Sequence, residues 1–83
     1  SFSEVNNNID SEPAYVYVKV SIANVREKPD VKSKIVEKVT EGVDLRVLES
    51  EGDWLYVLHV TYPNDIKGWI HKNLVETEEE RRL

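Results

Sequence analysis

Two histidines, His59 and His71, and two tryptophans, Trp54 and Trp69, are the residues best suited by type to chemistry or recognition. An imidazole can move protons or hold a metal near neutral pH. A zinc site needs three or four converging ligands, and the chain has no cysteine to supply thiolates. Covalent catalysis needs a nucleophile beside a base and an orienting group. No HxH, HExxH or GxSxG pattern occurs in the sequence. Both histidines fall within or at the end of strand-like segments, where satisfied or solvent-exposed imidazoles are expected. The chain is therefore read as non-catalytic, with no catalytic residue, metal site or cofactor.

The aromatic residues point to recognition instead. Tryptophan offers a large rigid face that binds with little entropic cost. Trp54 follows Glu51-Gly52-Asp53 at a loop–strand junction. It suits an exposed ligand platform, and equally a ring packed over the sheet edge against Arg26 or Pro29. Tyr56 shares its strand parity, so the two belong to one face. Trp69, between Gly68 and Ile70, is read first as a packing residue and second as a ligand contact. Arg26 can hold a loop carbonyl, Glu27 or Asp30, or offer its planar fork to a carboxylate ligand. Asn24 is expected to bond the loop backbone. The candidate ligand-binding residues are Trp54, Tyr56, Arg26, Asn24 and Trp69. Lys32, Lys34 and Lys38 form a modest basic stripe interleaved with Glu27, Asp30 and Glu37, which is read as a mixed solvated face.

The elements that must position these side chains are short and alternating. Residues 1–14, with Asn6-Asn7-Asn8 and Pro13, show no period of 2 or 3.6 and read as a flexible linker, with Phe2, Val5 and Ile9 its apolar exceptions. From Tyr15 to Ile22, Val16, Val18, Val20 and Ile22 share one side, as in a strand with one buried face. Ala23 to Asp30 breaks that alternation and reads as an excursion anchored by Val25, with Pro29 removing a backbone donor. Ile35 to Val39 is a second strand, Thr40-Glu41-Gly42 a turn, and Val43 to Leu48 a third strand. Glu49 to Asp53 reads as a polar loop, Trp54 to Thr61 as a fourth strand, Pro63-Asn64-Asp65 as a tight turn, and Lys67 to His71 as a fifth strand. Five short strands with frequent turns predict an all-β fold, a small five-stranded barrel or sandwich. In the acidic tail, residues 76–83, Thr77 and Glu80 fit a capping box, but so few residues follow that an unstructured tail is expected.

Length and charge set limits on partners. The 83 residues make one domain. A chain of this size buries only roughly 60% of its unfolded surface. The net charge of −5 is uneven. Residues 1–14 carry −3 and residues 76–83 carry −2, so residues 15–75 balance to zero. A nucleic-acid binder needs a basic face, so nucleic acid is not an expected partner. No run approaches the roughly 18 apolar residues of a membrane span, so membrane insertion is not expected. No charged-then-apolar leader opens the chain. Export would therefore rest on a leader already removed or on a longer parent chain. A monomer is expected.

Taken in order, Ala23-Asn24-Val25-Arg26 with Pro29, then Ser33, Ile35, Val39, Gly42, Val47, Trp54, Val57, Gly68-Trp69-Ile70 and Leu74 resemble the bacterial SH3-like family, SH3b. The resemblance spans roughly residues 18–75 and implies an SH3-like barrel. The second half is also similar to eukaryotic SH3 domains. There Trp54 matches the groove tryptophan, while His71 stands at the groove proline and Leu74 at the groove tyrosine. The first strand lacks the Ala-Leu-x-Asp-Tyr sequence that supplies further groove aromatics. A groove for proline-rich helices needs such an array, so binding of PxxP ligands is not implied.

What the bacterial family implies is a binding or targeting module, appended to a larger bacterial protein and directed at cell-wall peptidoglycan or its peptides. The expected partner is a cell-wall peptide or glycan. The expected place is extracellular or the cell envelope, with the cytoplasm as the other option. The alternative reading is a structural or protein-interaction domain that packs on a neighbouring domain or partner.

Overall fold

The computed structural model describes residues 14–83. Seven strands follow one another: β1 (Ala14–Val18), β2 (Ile22–Arg26), β3 (Ile35–Thr40), β4 (Asp44–Glu51), β5 (Trp54–His59), β6 (Ile66–His71) and β7 (Val75–Glu76). A 3-10 turn, Lys72–Leu74, joins β6 to β7, and a five-residue helix, Glu78–Arg82, ends the chain. All ladders are antiparallel and form one sheet in the order β3-β2-β6-β5-β4-β1-β7. The all-β expectation holds. The count of five does not, and the sheet is not closed, since the two end strands, β3 and β7, do not pair with each other.

The two additional strands have separate causes. The expected strand from Tyr15 to Ile22 bends at Val20-Ser21, and the buried phase changes there. Val16 and Val18 are buried before the bend and Ala23 and Val25 after it, which leaves Ile22 61% exposed. Lys19 N–H donates to the Leu74 carbonyl (3.0 Å), while the Val18 carbonyl accepts from Gly42 N–H (2.8 Å). The segment expected as an excursion therefore begins as β2, and the loop proper is residues 27–34. β7 is only two residues long, too short to leave an alternation in the sequence.

The polar stretch Glu49–Asp53 is also strand for most of its length. A register shift between Val47 and Glu49 lets Glu49, Ser50 and Glu51 continue the ladder opposite Tyr56, Leu55 and Trp54. The turn is confined to Gly52 and Asp53, with Gly52 at φ +57°, which glycine adopts without steric cost.

One hydrophobic cluster receives inward residues from all seven strands, with Leu45 and Ile70 fully enclosed and Val18, Val25 and Val57 nearly so. The sheet folds over this cluster far enough for Glu37 of β3 to meet His59 of β5. His59 Nδ1 lies 2.9 and 2.8 Å from the two Glu37 carboxylate oxygens. The acidic tail departs from its unstructured expectation. Thr77 Oγ1 accepts from Glu80 N–H, Glu80 Oε1 accepts from Thr77 N–H, and the Arg81 guanidinium lies 4.1 Å from the centre of the Tyr17 ring. The capping box and this cation–π contact tie the short helix to β1. The linker expected over residues 1–14 lies outside the described residues except for Ala14, which opens β1 opposite Val47.

Candidate functional site

The β5–β6 hairpin sets the geometry. Its register pairs Leu55 with Ile70 and Val57 with Gly68 on the inner face, so Trp54 with His71 and Tyr56 with Trp69 must lie on the outer face. The Trp54 and His71 rings meet edge to face, centroids 5.1 Å apart and planes at 76°. Tyr56 and Trp69 lie 5.0 Å apart at 43°. Both geometries suit the aromatic quadrupole. All four rings are half-buried. Trp69 thus packs on Tyr56 on the outside of the sheet rather than within the core.

β2 lies beside this hairpin, with Arg26 opposite Trp69. Asn24 and Arg26 share the outer face because Ala23 and Val25 point into the core. An open cleft of about 320 Å³ results, lined by Asn24, Arg26, Val31, Trp54, His71, Asn73 and Leu74. The structure therefore brings three of the five candidate residues together here, Asn24, Arg26 and Trp54. Tyr56 and Trp69 form the adjoining aromatic pair and do not line the cleft.

The cleft wall is built from local bonds. Arg26 Nη1 donates to the Ser33 carbonyl at 2.9 Å, tying β2 to the far end of the 27–34 loop. Ser33 Oγ accepts from Lys28 N–H, and Asp30 Oδ1 accepts from Lys32 N–H. These bonds hold Val31 over the cleft. Asn24 does not bond the loop backbone as expected; its Oδ1 accepts from Lys38 Nζ at 2.9 Å. His71 Nδ1 accepts from Asn73 N–H at 3.1 Å and so starts the 3-10 turn that places Asn73 and Leu74. With Nδ1 an acceptor, the neutral ring carries its proton on Nε2. No acidic side chain lines the cleft, and Arg26 is the one charged group that does.

Val31, His71, Asn73 and Leu74 were not among the candidates. The likeness of 68–75 to the eukaryotic SH3 stretch was the signal that could have found His71 and Leu74, since it aligned both with groove positions. Val31 had no signal, because its place depends on how the loop folds back. His59 is held by Glu37, away from the cleft. Among the described residues no group of three His, Asp or Glu side chains is placed to hold a metal ion.

A family model described as the bacterial SH3 domain matches residues 21–76. The chain belongs to the bacterial SH3 domain family. The match covers β2 through β7, and with it every residue that lines the Trp54 cleft. No curated protein matches the sequence. Such domains are generally non-catalytic binding modules that mediate protein or peptide interactions, and the outer face of this bacterial SH3 domain presents aromatic rings with one guanidinium.

Proposed function

We propose that this bacterial SH3 domain is a targeting module that recognises cell-wall peptidoglycan or its peptides as an appendage of a larger bacterial protein in the cell envelope or outside the cell. The curved, unclosed antiparallel sheet acts as a rigid frame for the Trp54 cleft. The observation that carries this reading is the half-buried indole of Trp54, held edge-on by His71 at the floor of an open cleft. A ring fixed in this way offers apolar area without losing further side-chain freedom on binding. The cleft has room for a few residues of an extended chain rather than for a deeply buried small molecule. The test is retention of the purified domain on washed cell walls. Wild type is expected to pellet with the walls and Trp54→Ala to stay in the supernatant, at unchanged thermal midpoint. Equal retention of the two proteins would remove the cleft as the site.

A second reading is a domain that packs on a protein neighbour. It is favoured by Val60 and Tyr62, which are 73% and 93% exposed on the β5–β6 connection, away from the cleft. Loss of wall retention in Tyr62→Ser rather than Trp54→Ala would turn the assignment toward that loop.

A further inference from the structure

We infer that the Trp54 cleft engages its ligand through a carboxylate, bound by Arg26, so that the preferred partner is a peptide with a free acidic group. This rests on the reading of the cleft as the ligand site. Arg26 and the His71 Nε2–H present donors to the cleft, while Asn24 and Asn73 are amides with both a donor and an acceptor end. A guanidinium carries several N–H donors in a rigid fork, and Arg26 commits Nη1 to the Ser33 carbonyl. Among the described residues Arg26 pairs with no carboxylate; the ion pairs present join His59 to Glu37, Arg81 to Glu76 and Arg82 to Glu78. The remaining N–H groups of Arg26 are matched to the two oxygens of a carboxylate.

The neighbouring groups agree in sign. His71 has its acceptor nitrogen occupied by Asn73 N–H, which leaves Nε2–H as its free donor. Asn24 has its oxygen engaged by Lys38 Nζ, which itself does not line the cleft, and its amide NH₂ is left as a donor. The whole chain is acidic, at −5, yet no acidic side chain lines this cleft. An open cleft with one guanidinium and no acidic side chain favours an anion, because a carboxylate can take up the N–H groups of Arg26 that the Ser33 carbonyl leaves over. Trp54, Val31 and Leu74 add the apolar surface on which the neighbouring part of the peptide rests. An uncharged glycan would use the tryptophan and forgo the arginine.

The experiment is a chemical-shift titration of the isotopically labelled full chain. One arm uses muropeptides released from purified walls. The other uses the same muropeptides after their free carboxylates have been converted to amides. The acid form is expected to shift the Trp54 indole N–H and the Arg26 Nε–H saturably, and the amidated form to bind about tenfold more weakly, as loss of a charge-assisted hydrogen bond implies. Arg26→Gln, which keeps a donor for the Ser33 carbonyl, is expected to bind the acid form no better than wild type binds the amide. Equal affinity for the two forms, with Trp54 still shifting, would overturn the carboxylate and leave the cleft standing. Absence of any Trp54 shift with either form would overturn both. The comparison of the two ligand forms uses wild-type protein, so it holds even where Arg26→Gln fails to fold.

Discussion

At position 68 a methyl group would stand 2.6 Å from Val25 Cγ1, 2.8 Å from the Arg26 carbonyl oxygen and 3.0 Å from Val36 Cγ2. The valine methyls could rotate, but the carbonyl is backbone and cannot yield without moving β2. Gly68 is therefore what lets β6 approach the strand that carries Asn24 and Arg26. Gly68→Ala is expected to destabilise the domain by about 1–3 kcal/mol, the usual cost of overpacking. Urea unfolding measures this as a lower midpoint at similar slope. Because the displaced strand forms one wall of the cleft, wall retention should fall with it, whereas Trp54→Ala should lower retention alone. Gly68-Trp69-Ile70 is legible in the sequence as part of the family resemblance, but the backbone that Gly68 approaches belongs to β2, a strand the alternation hid.

The C-terminal helix shows what a short element gains from its neighbours. Five residues cannot sustain a helix in isolation. Here Thr77 and Glu80 cap it, and Tyr17 of β1 receives Arg81 on its ring face. The Glu78 carboxylate, as hydrogen-bond partner, pushes the Tyr17 phenol up from its ordinary value. A phenol whose folded pKa exceeds its unfolded one binds its proton more tightly when folded. Its contribution is complete below the unfolded value, about 10, and is lost as pH rises through the folded value. Ultraviolet titration of the phenolates should accordingly find one tyrosine ionising late. Glu78→Gln should bring it back toward the others. A late tyrosine that persisted in the variant would mean that Glu78 is not the cause. The capping box was visible in the sequence, but its docking partner was not. Tyr17 is far along the chain, and only the β1–β7 pairing brings it near.

For the molecule as a whole, one side-chain contact joins strands that are not ladder neighbours. Glu37 and His59 stand on β3 and β5, which β2 and β6 separate in the sheet order, yet the imidazole meets both carboxylate oxygens. Both side chains are about four-fifths withdrawn from solvent, at 21% and 18% exposure. The pair secures the fold of the sheet upon itself where no backbone ladder does so. A double-mutant cycle of Glu37→Gln and His59→Gln is expected to give a coupling of about 1 kcal/mol, within the range for side chains in direct contact. A coupling near zero would mean that the core alone determines the curvature.

In the later strands the sequence by itself separated the inner from the outer face, because alternation with period two sets the two apart directly; in the first it did not, since the bend at Val20-Ser21 leaves Ile22 exposed. Leu45, Leu55, Val57 and Ile70 are inside and Trp54 and Tyr56 outside for that reason. It also carried the Thr77 cap and the order of family residues, both of which are local in the chain. Tertiary structure decided the rest. It split the first strand at Val20-Ser21, extended β4 through a bulge, added a two-residue β7 and left the sheet unclosed. It also assembled the cleft, since Asn24 and Arg26 come from β2, Val31 from a loop, Trp54 from β5, His71 from the end of β6, and Asn73 and Leu74 from the 3-10 turn after it. Local propensity fixes where a side chain points from its own strand. Which distant side chains share a space with it is set by strand order and sheet curvature, and these arise only when all the strands bury their apolar faces against one another.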